Sequence, residues 1–279
     1  MARIVPLHWL VGVPLGIWAL AQGGAAMVPK VAVNLALLQA WVPDPDWYFT
    51  VNEPSWSLSD EAFFYTCFIG LAVLPLRRLG LVAGGLLALN ITLVVWRMGV
   101  GQGAVIVDDR NTLTHWLTYI APPARLLDFV VGMLVYRLPR LRGGTALELG
   151  VVALLLGAMV AYPLLGVPDV LRMQLAYLPL MALMIWAFGL GGGELSRGLA
   201  QSRTLVLLGD ASFALYLVHL PIVHGGLAVQ EWMNDRALPW LVWAGLVSLA
   251  AIALSVAVFL WVETPVLKRL RRVIDARVP

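Results

Sequence analysis

The chain has 279 residues, of which 61% are hydrophobic and only 13% charged, with a mean hydropathy of +0.85. A soluble domain carries roughly 25% charged residues, so this composition excludes one and predicts an all-α polytopic transmembrane helix bundle, a single membrane-embedded domain over residues 1–279. The net charge of +3 is too small to suggest nucleic acid as a partner, and a lone cysteine excludes an intrachain disulfide.

Apolar runs long enough to cross ~30 Å of hydrocarbon recur along the chain. They fall at Val5–Ala21, Asp60–Leu76, Leu81–Trp96, Ala124–Tyr136, Ala146–Leu165, Gln174–Leu190, Leu205–His224 and Pro239–Trp261. They must be helices, because lipid offers no partners to backbone N–H and C=O groups and no period-2 pattern of barrel strands is present. Lys30–Val42 is apolar but short, and reads as an interfacial or re-entrant helix.

Basic residues set the orientation. Arg3 precedes the first span. Arg77-Arg78, Arg137 with Arg140 and Arg142, Arg197 with Arg203, and Lys268-Arg269-Leu270-Arg271-Arg272 follow every second one. If these face the cytoplasm, eight spans alternate without conflict and both termini are cytoplasmic. Pro43–Ser59, Met98–Pro123, Gly166–Arg172 and Gly225–Leu238 then face outward. The first span admits a second reading, since Arg3, an apolar run and Ala19-Leu20-Ala21 resemble a cleavable signal peptide. Twelve tryptophans and seven tyrosines mostly flank the spans, as an interfacial belt does.

Polar residues inside this apolar background are the candidates for chemistry. Ser57 or Ser59 can cap the helix that follows, with Asp60 and Glu61 complementing its dipole. That account leaves unexplained why Glu61 and Tyr65 share a face, where a carboxylate beside a phenol can orient or deprotonate a hydroxyl acceptor. Arg125 and Asp128, three apart, form either a structural ion pair or a substrate contact. Ser212, Tyr216 and His219 lie within about 60° on one helix face, from 100° per residue. Such a stripe either bonds neighbouring helices or lines a channel, and an imidazole that titrates near neutrality is costly to bury as glue alone. His115 and His224 fall near the outward loops and read as bystanders, and four scattered histidines show no metal-ligand spacing.

Five strings carry a resemblance. Trp56-Ser57-Leu58-Ser59-Asp60-Glu61-Ala62-Phe63-Phe64-Tyr65 is similar to the Trp-Ser-Leu-x-x-Glu-x-x-Phe-Tyr signature of the acyltransferase-3 family, membrane enzymes that O-acylate carbohydrates and other hydroxyl-bearing acceptors. In the same order, Arg125 to Met133 resembles the family's Arg-x-x-Glu-Phe-x-x-Gly-Met helix, with Asp128 in place of Glu. Leu208 to His219 resembles Leu-Gly-x-x-Ser-Tyr-x-Leu-Tyr-Leu-x-His, with Phe213 for Tyr. Glu263-Thr264-Pro265 resembles the closing Glu-x-Pro, and Arg3-Ile4-Val5-Pro6-Leu7 the Arg-Ile-x-Pro-Leu after the family's first two helices.

The resemblance implies transfer of an acyl group, most often acetyl, from acyl-CoA to a hydroxyl of a carbohydrate or cell-envelope glycan at the cytoplasmic (inner) membrane. Acyl-CoA is then a co-substrate, and no permanently bound cofactor is expected. Glu61, Tyr65 and His219 are the catalytic candidates. Trp56, Ser57, Arg125, Asp128, Ser212 and Tyr216 are the substrate-binding candidates, with Arg3 for the CoA phosphates. The family also carries about ten spans and begins with a helix bearing an Arg and, ten residues on, a His taken as the base. This chain starts inside the Arg-x-x-Arg pair, with Arg3 matching the second arginine, and His8 sits where the family has an aromatic residue. Two accounts of that departure stand: a mis-assigned start codon, or a truncated gene with an inactive product. Two other function classes stay open, a non-catalytic membrane scaffold and a transporter or flippase of a lipid-linked sugar. The latter should show inverted repeats, which the sequence lacks.

Overall fold

The computed structural model describes residues 3–102, 112–139, 143–233 and 238–275. Arg140 and Arg142, and parts of the Met98–Pro123 and Gly225–Leu238 segments, lie outside these. The described residues form helices and connecting turns, without strands.

Helix α1 (Ile4–Gly23) ends at Gly24, whose φ of 60° is open to glycine at little cost, and a 3-10 turn leads into α2 (Val28–Leu35). A short α3 (Pro45–Tyr48) and a 3-10 turn (Glu53–Ser55) precede α4 (Trp56–Leu71). Then come α5 (Leu76–Gly99), α6 (Thr112–His115) with a π-helical turn Trp116–Ile120, and α7 (Pro122–Tyr136). Proline opens α7, where a missing N–H is harmless. Next are α8 (Thr145–Leu164), α9 (Asp169–Leu171) with a π-helical turn Arg172–Ala176, α10 (Leu178–Leu190) and α11 (Glu194–Gln201). The run closes with α12 (Arg203–Asp210), α13 (Ser212–Met233), α14 (Trp240–Val258), a π-helical turn Phe259–Glu263 and α15 (Thr264–Asp275).

Seven stretches among the described residues are long and apolar enough to cross a membrane. They correspond to seven of the eight expected spans. The eighth, expected at Asp60–Leu76, is helical, but α4 holds 16 residues and so rises only about 24 Å.

Contacts group the chain into two compact units: Met1–Gln39, Phe49–Leu58 and Arg203–Pro279 in the first, Ala40–Tyr48 and Ser59–Ser202 in the second. In the first unit α2 folds back antiparallel to α1. Gly16 faces Val31 and Gly12 faces Leu35, so closely that a Cβ on Gly16 would stand 2.9 Å from a Val31 methyl. His8 Nε2 donates to Asn34 O at 2.9 Å, and Trp9 Nε1 donates to Leu35 O at 2.9 Å. The short segment expected at Lys30–Val42 is thus helical from two residues earlier, ends at Leu35, and runs back along α1.

A buried polar turn follows. Asn34 Nδ2 donates to Thr50 O and to Ser55 Oγ, both at 3.0 Å, and Gln39 Nε2 donates to Ser55 O at 2.7 Å. Asn52 Nδ2 donates to Leu217 O in the second turn of α13 at 2.9 Å. Arg3 bonds Asp210 O at the start of that region, seven residues earlier, so only about 10 Å of helix rise separates the turn from Arg3. This part of Pro43–Ser59 is therefore packed into the first unit against α13. Helix α13 packs on α14 and α1.

In the second unit α5 packs on α7, α7 on α10, and α10 on α8. Leu79, Ala83 and Val130 form the core between α5 and α7. Arg137 donates to Leu74 O and Ala72 O at 2.6 and 2.7 Å, satisfying carbonyls just past the end of α4. Glu148, fully buried, accepts the N–H groups of Leu195 and Ser196 at the start of α11, where a carboxylate is favoured by the helix dipole.

Candidate active site

In the first unit the Trp-Ser-Leu string meets the Ser212–His219 helix directly. Ser57 Oγ and Tyr216 OH lie 2.7 Å apart, and both face the Pro54 carbonyl, at 3.1 and 2.8 Å. Two hydroxyls and one carbonyl form a closed triangle that pins the start of α4 to α13. Ser212, Tyr216 and His219 line one cavity of about 520 Å³, closed on the other side by Ser248, Ala251 and Ile252 of α14. The polar stripe read from the sequence thus faces open space between helices.

His219 is oriented by its own helix. Its Nδ1 lies 2.8 Å from Tyr216 O and 3.2 Å from Leu215 O. Carbonyls only accept, so Nδ1 carries the hydrogen and Nε2 the lone pair.

Arg3 pairs with Glu263, donates to Asp210 O at 2.7 Å and covers the Phe213 ring at 5.3 Å. Glu263, at 1% exposure, is among the most buried polar residues. The closing Glu-x-Pro string was not singled out as a site, yet its carboxylate holds the arginine of the opening string. Arg3, Glu263, Asp210 and Lys268 line a second opening of about 230 Å³, where two cations face two carboxylates.

The second unit holds the other candidates. Arg125 Nη2 pairs with Asp128 Oδ2 at 2.9 Å, and Nη1 donates to Gln174 Oε1 at 3.2 Å. Gln174 passes the chain on to Asn90 Oδ1 at 2.7 Å, and Asn90 donates to Ala124 O. The guanidinium also covers the Tyr119 ring at 5.4 Å. The structural ion pair is formed, and it sits inside a wider network that the sequence did not disclose.

The capping account of Ser57, Ser59, Asp60 and Glu61 is overturned. Helix α4 starts at Trp56, so all four are helical residues and the two acids fall in its second turn. Ser57 Oγ is engaged with Pro54 and Tyr216, while Ser59 Oγ and Asp60 Oδ1 are buried with no hydrogen-bond partner among the described residues. Asp60, 3% exposed, lies in the field of Arg125, Glu61 and Asp128. Glu61 is half-buried one residue further on, and Tyr65, 45% exposed, follows a turn later on the same face. Trp56 is half-buried.

His115 is no bystander of the loops. It is buried, and its Nδ1 lies 3.2 Å from Tyr48 OH. Burial pushes the Tyr48 phenol well above its ordinary pKa, with Asp44 adding to the shift and Arg97 opposing it. Tyr48 therefore stays protonated and donates to His115. Arg97, also buried, donates to Thr118 Oγ1 at 2.5 Å and to Gln102 O at 2.7 Å. Only the rarity of charge and imidazole in an apolar chain pointed to these residues.

A bundle of helices long and apolar enough to cross a membrane, with polar side chains gathered between them, defines a polytopic membrane protein. The chain belongs to the acyltransferase-3 family: that family's acyltransferase-domain model matches residues 1–262. It is a multi-pass membrane acyltransferase. It is 30% identical over 266 residues to Acyltransferase MdmB of Streptomyces mycarofaciens, covering 91% of this chain and 68% of that one. It is 30% identical over 282 residues to Exopolysaccharide production protein ExoZ of Rhizobium meliloti (strain 1021), covering 96% of this chain and 79% of that one. No solved structure matches.

Proposed function

We propose that the protein transfers an acyl group, acetyl in the simplest case, from acyl-CoA to a hydroxyl of a cell-envelope carbohydrate at the cytoplasmic membrane, with both termini in the cytoplasm. The observation that carries this reading is the cavity that His219 and Tyr216 line together, with the Tyr216 hydroxyl 2.7 Å from Ser57 Oγ. The printed name of ExoZ supports a polysaccharide acceptor.

In this reading His219 Nε2 takes the proton of the acceptor hydroxyl as its oxygen attacks the thioester carbon. The C–S bond breaks, the new ester forms, and the departing CoA sulfur takes the proton back from the imidazolium. Trp56, Ser57, Ser212 and Tyr216, in the first unit, shape the path of the acceptor, while Glu61 and Tyr65, in the second, are the motif's own candidates for orienting it. Arg125 and Asp128 hydrogen-bond acceptor hydroxyls. Arg3 and Lys268, with the basic run of α15, attract the adenosine phosphates. A phosphate at Arg3 has to compete with Glu263, so the arginine serves the donor only by exchanging one anion for another.

Membranes carrying the full chain, given labelled acetyl-CoA and envelope glycans, test the reading. A general base contributes about 10²–10⁴-fold, so His219→Gln should lower kcat by at least ~100-fold while donor binding persists. Transfer by His219→Gln at the parent rate removes His219 from the chemistry. No transfer by the parent chain favours the scaffold.

A further inference from the structure

On the opposite side of α13 from the His219 cavity, the first unit contains a cavity of about 610 Å³ that none of the motifs reaches. Leu15 and Trp18 of α1, Phe49 and the Asn52-Glu53 turn, and Pro221 and His224 of α13 form its walls. Its volume falls within the ~300–1,000 Å³ that small-molecule sites occupy. Trp18 lies fifteen residues along α1 from Arg3, about 22 Å of helix rise, so the cavity belongs to the half of this unit remote from the Arg3 end.

Three features mark it as built for a ligand. Asn52 is 4% exposed and lines the wall, held in place by the bond from Nδ2 to Leu217 O. Val51, the residue before it, has φ of 65°, a conformation that a β-branched side chain adopts only under constraint, and such strain collects at ligand clamps. Glu53 and His224 are exposed polar groups on the same walls as the Trp18 and Phe49 rings.

We infer that this cavity binds a sugar ring of the acceptor other than the one that reacts, since α13 stands between it and His219; the inference rests on the acyl-transfer reading above. A pyranose offers one C–H face and a rim of hydroxyls. The indole of Trp18 packs against the face, Glu53 accepts hydroxyl protons, and the His224 imidazole exchanges one more hydrogen bond. The Asn52-Glu53-Pro54 turn connects this cavity to the other one, because the Pro54 carbonyl is held by Tyr216 and Ser57. A ring bound here therefore presses on the turn that positions those hydroxyls.

The full chain in detergent is titrated with cellotetraose, and binding is followed by saturation-transfer NMR. Trp18→Ala and Glu53→Gln should each weaken Kd at least ten-fold, Trp18→Phe should retain most of the affinity, and His219→Gln should bind like the parent. Absence of binding by the parent, or unchanged Kd in both Trp18→Ala and Glu53→Gln, overturns the site. The parent's acetyl transfer is measured separately. A parent that binds the oligosaccharide and acetylates no glycan defeats the transfer reading and leaves the sugar site standing. A parent that transfers, with Trp18→Ala and Glu53→Gln showing unchanged acceptor KM, does the reverse.

Discussion

Arg3 and Glu263 come from opposite ends of the chain, yet each satisfies the other's charge. The two sides of the pair are unequal. Glu263 is 1% exposed whereas 45% of the Arg3 side chain is open. Arg3→Ala strands a carboxylate in a buried setting, a loss of about 3–5 kcal/mol for a broken buried pair. Glu263→Gln leaves an arginine that still reaches Asp210 O, Phe213 and the open side, a loss nearer ~1 kcal/mol. Thermal unfolding in detergent should therefore show a lower Tm for Arg3→Ala than for Glu263→Gln, and the reverse order refutes the pairing as the dominant contact. None of this partnership was legible in the sequence, because a string such as Glu263-Thr264-Pro265 identifies a residue and not the residue it meets. Asp60 teaches the same point from the other side. Its spacing after two serines matched a helix start, and only the earlier onset of α4 at Trp56 turned a capping acid into a buried one. By contrast the Ser212–Tyr216–His219 stripe was legible in full, since its 3.6-residue period is a property of one helix alone.

The α1–α2 hairpin depends on glycines where the two helices touch. Gly16→Val places carbon atoms inside the van der Waals radius of Val31, and overpacking of this kind costs about 1–3 kcal/mol. The substitution should lower detergent Tm, whereas Gly70→Ala, a position with no neighbour within 4 Å of its Cβ, should leave it within a degree or two. Equal effects at both positions mean that the hairpin does not pack as described. Helices long enough to cross were readable from apolar run length, because that is the requirement lipid itself imposes. The reversal into α2 was only half readable: its shortness suggested re-entry, but the direction depends on the left-handed Gly24 and on the His8–Asn34 bond. Helix α4 was misplaced by four residues at its start because the Ser57 hydroxyl, which reads as a cap, is instead engaged by Pro54 and by Tyr216 of α13.

Across the whole molecule, the count of crossings turns on α4. If Arg3 and Arg77-Arg78 share one side, the chain must return between them, and 16 residues are short of a full span. A return is open to it because the turn at Asn52–Ser57 meets the second turn of α13, a helix that is itself long and apolar enough to cross. With Cys67 replaced, Arg78→Cys should react with an impermeant maleimide only after permeabilisation, and Gly166→Cys in intact cells. Labelling of Arg78→Cys in intact cells shows that α4 does not bring the chain back. The buried turn also constrains biosynthesis. Gln39, Asn52 and Ser55 are buried in the finished fold, and the carbonyl that receives Asn52 belongs to Leu217, 165 residues later. At ~5–20 residues per second of translation, the nascent protein waits roughly 8–33 s before that partner for its polar loop exists. Assembly of the amino-terminal third is therefore paced by the ribosome, and whatever shelters that loop in the interval is as much a requirement of the fold as any contact within it.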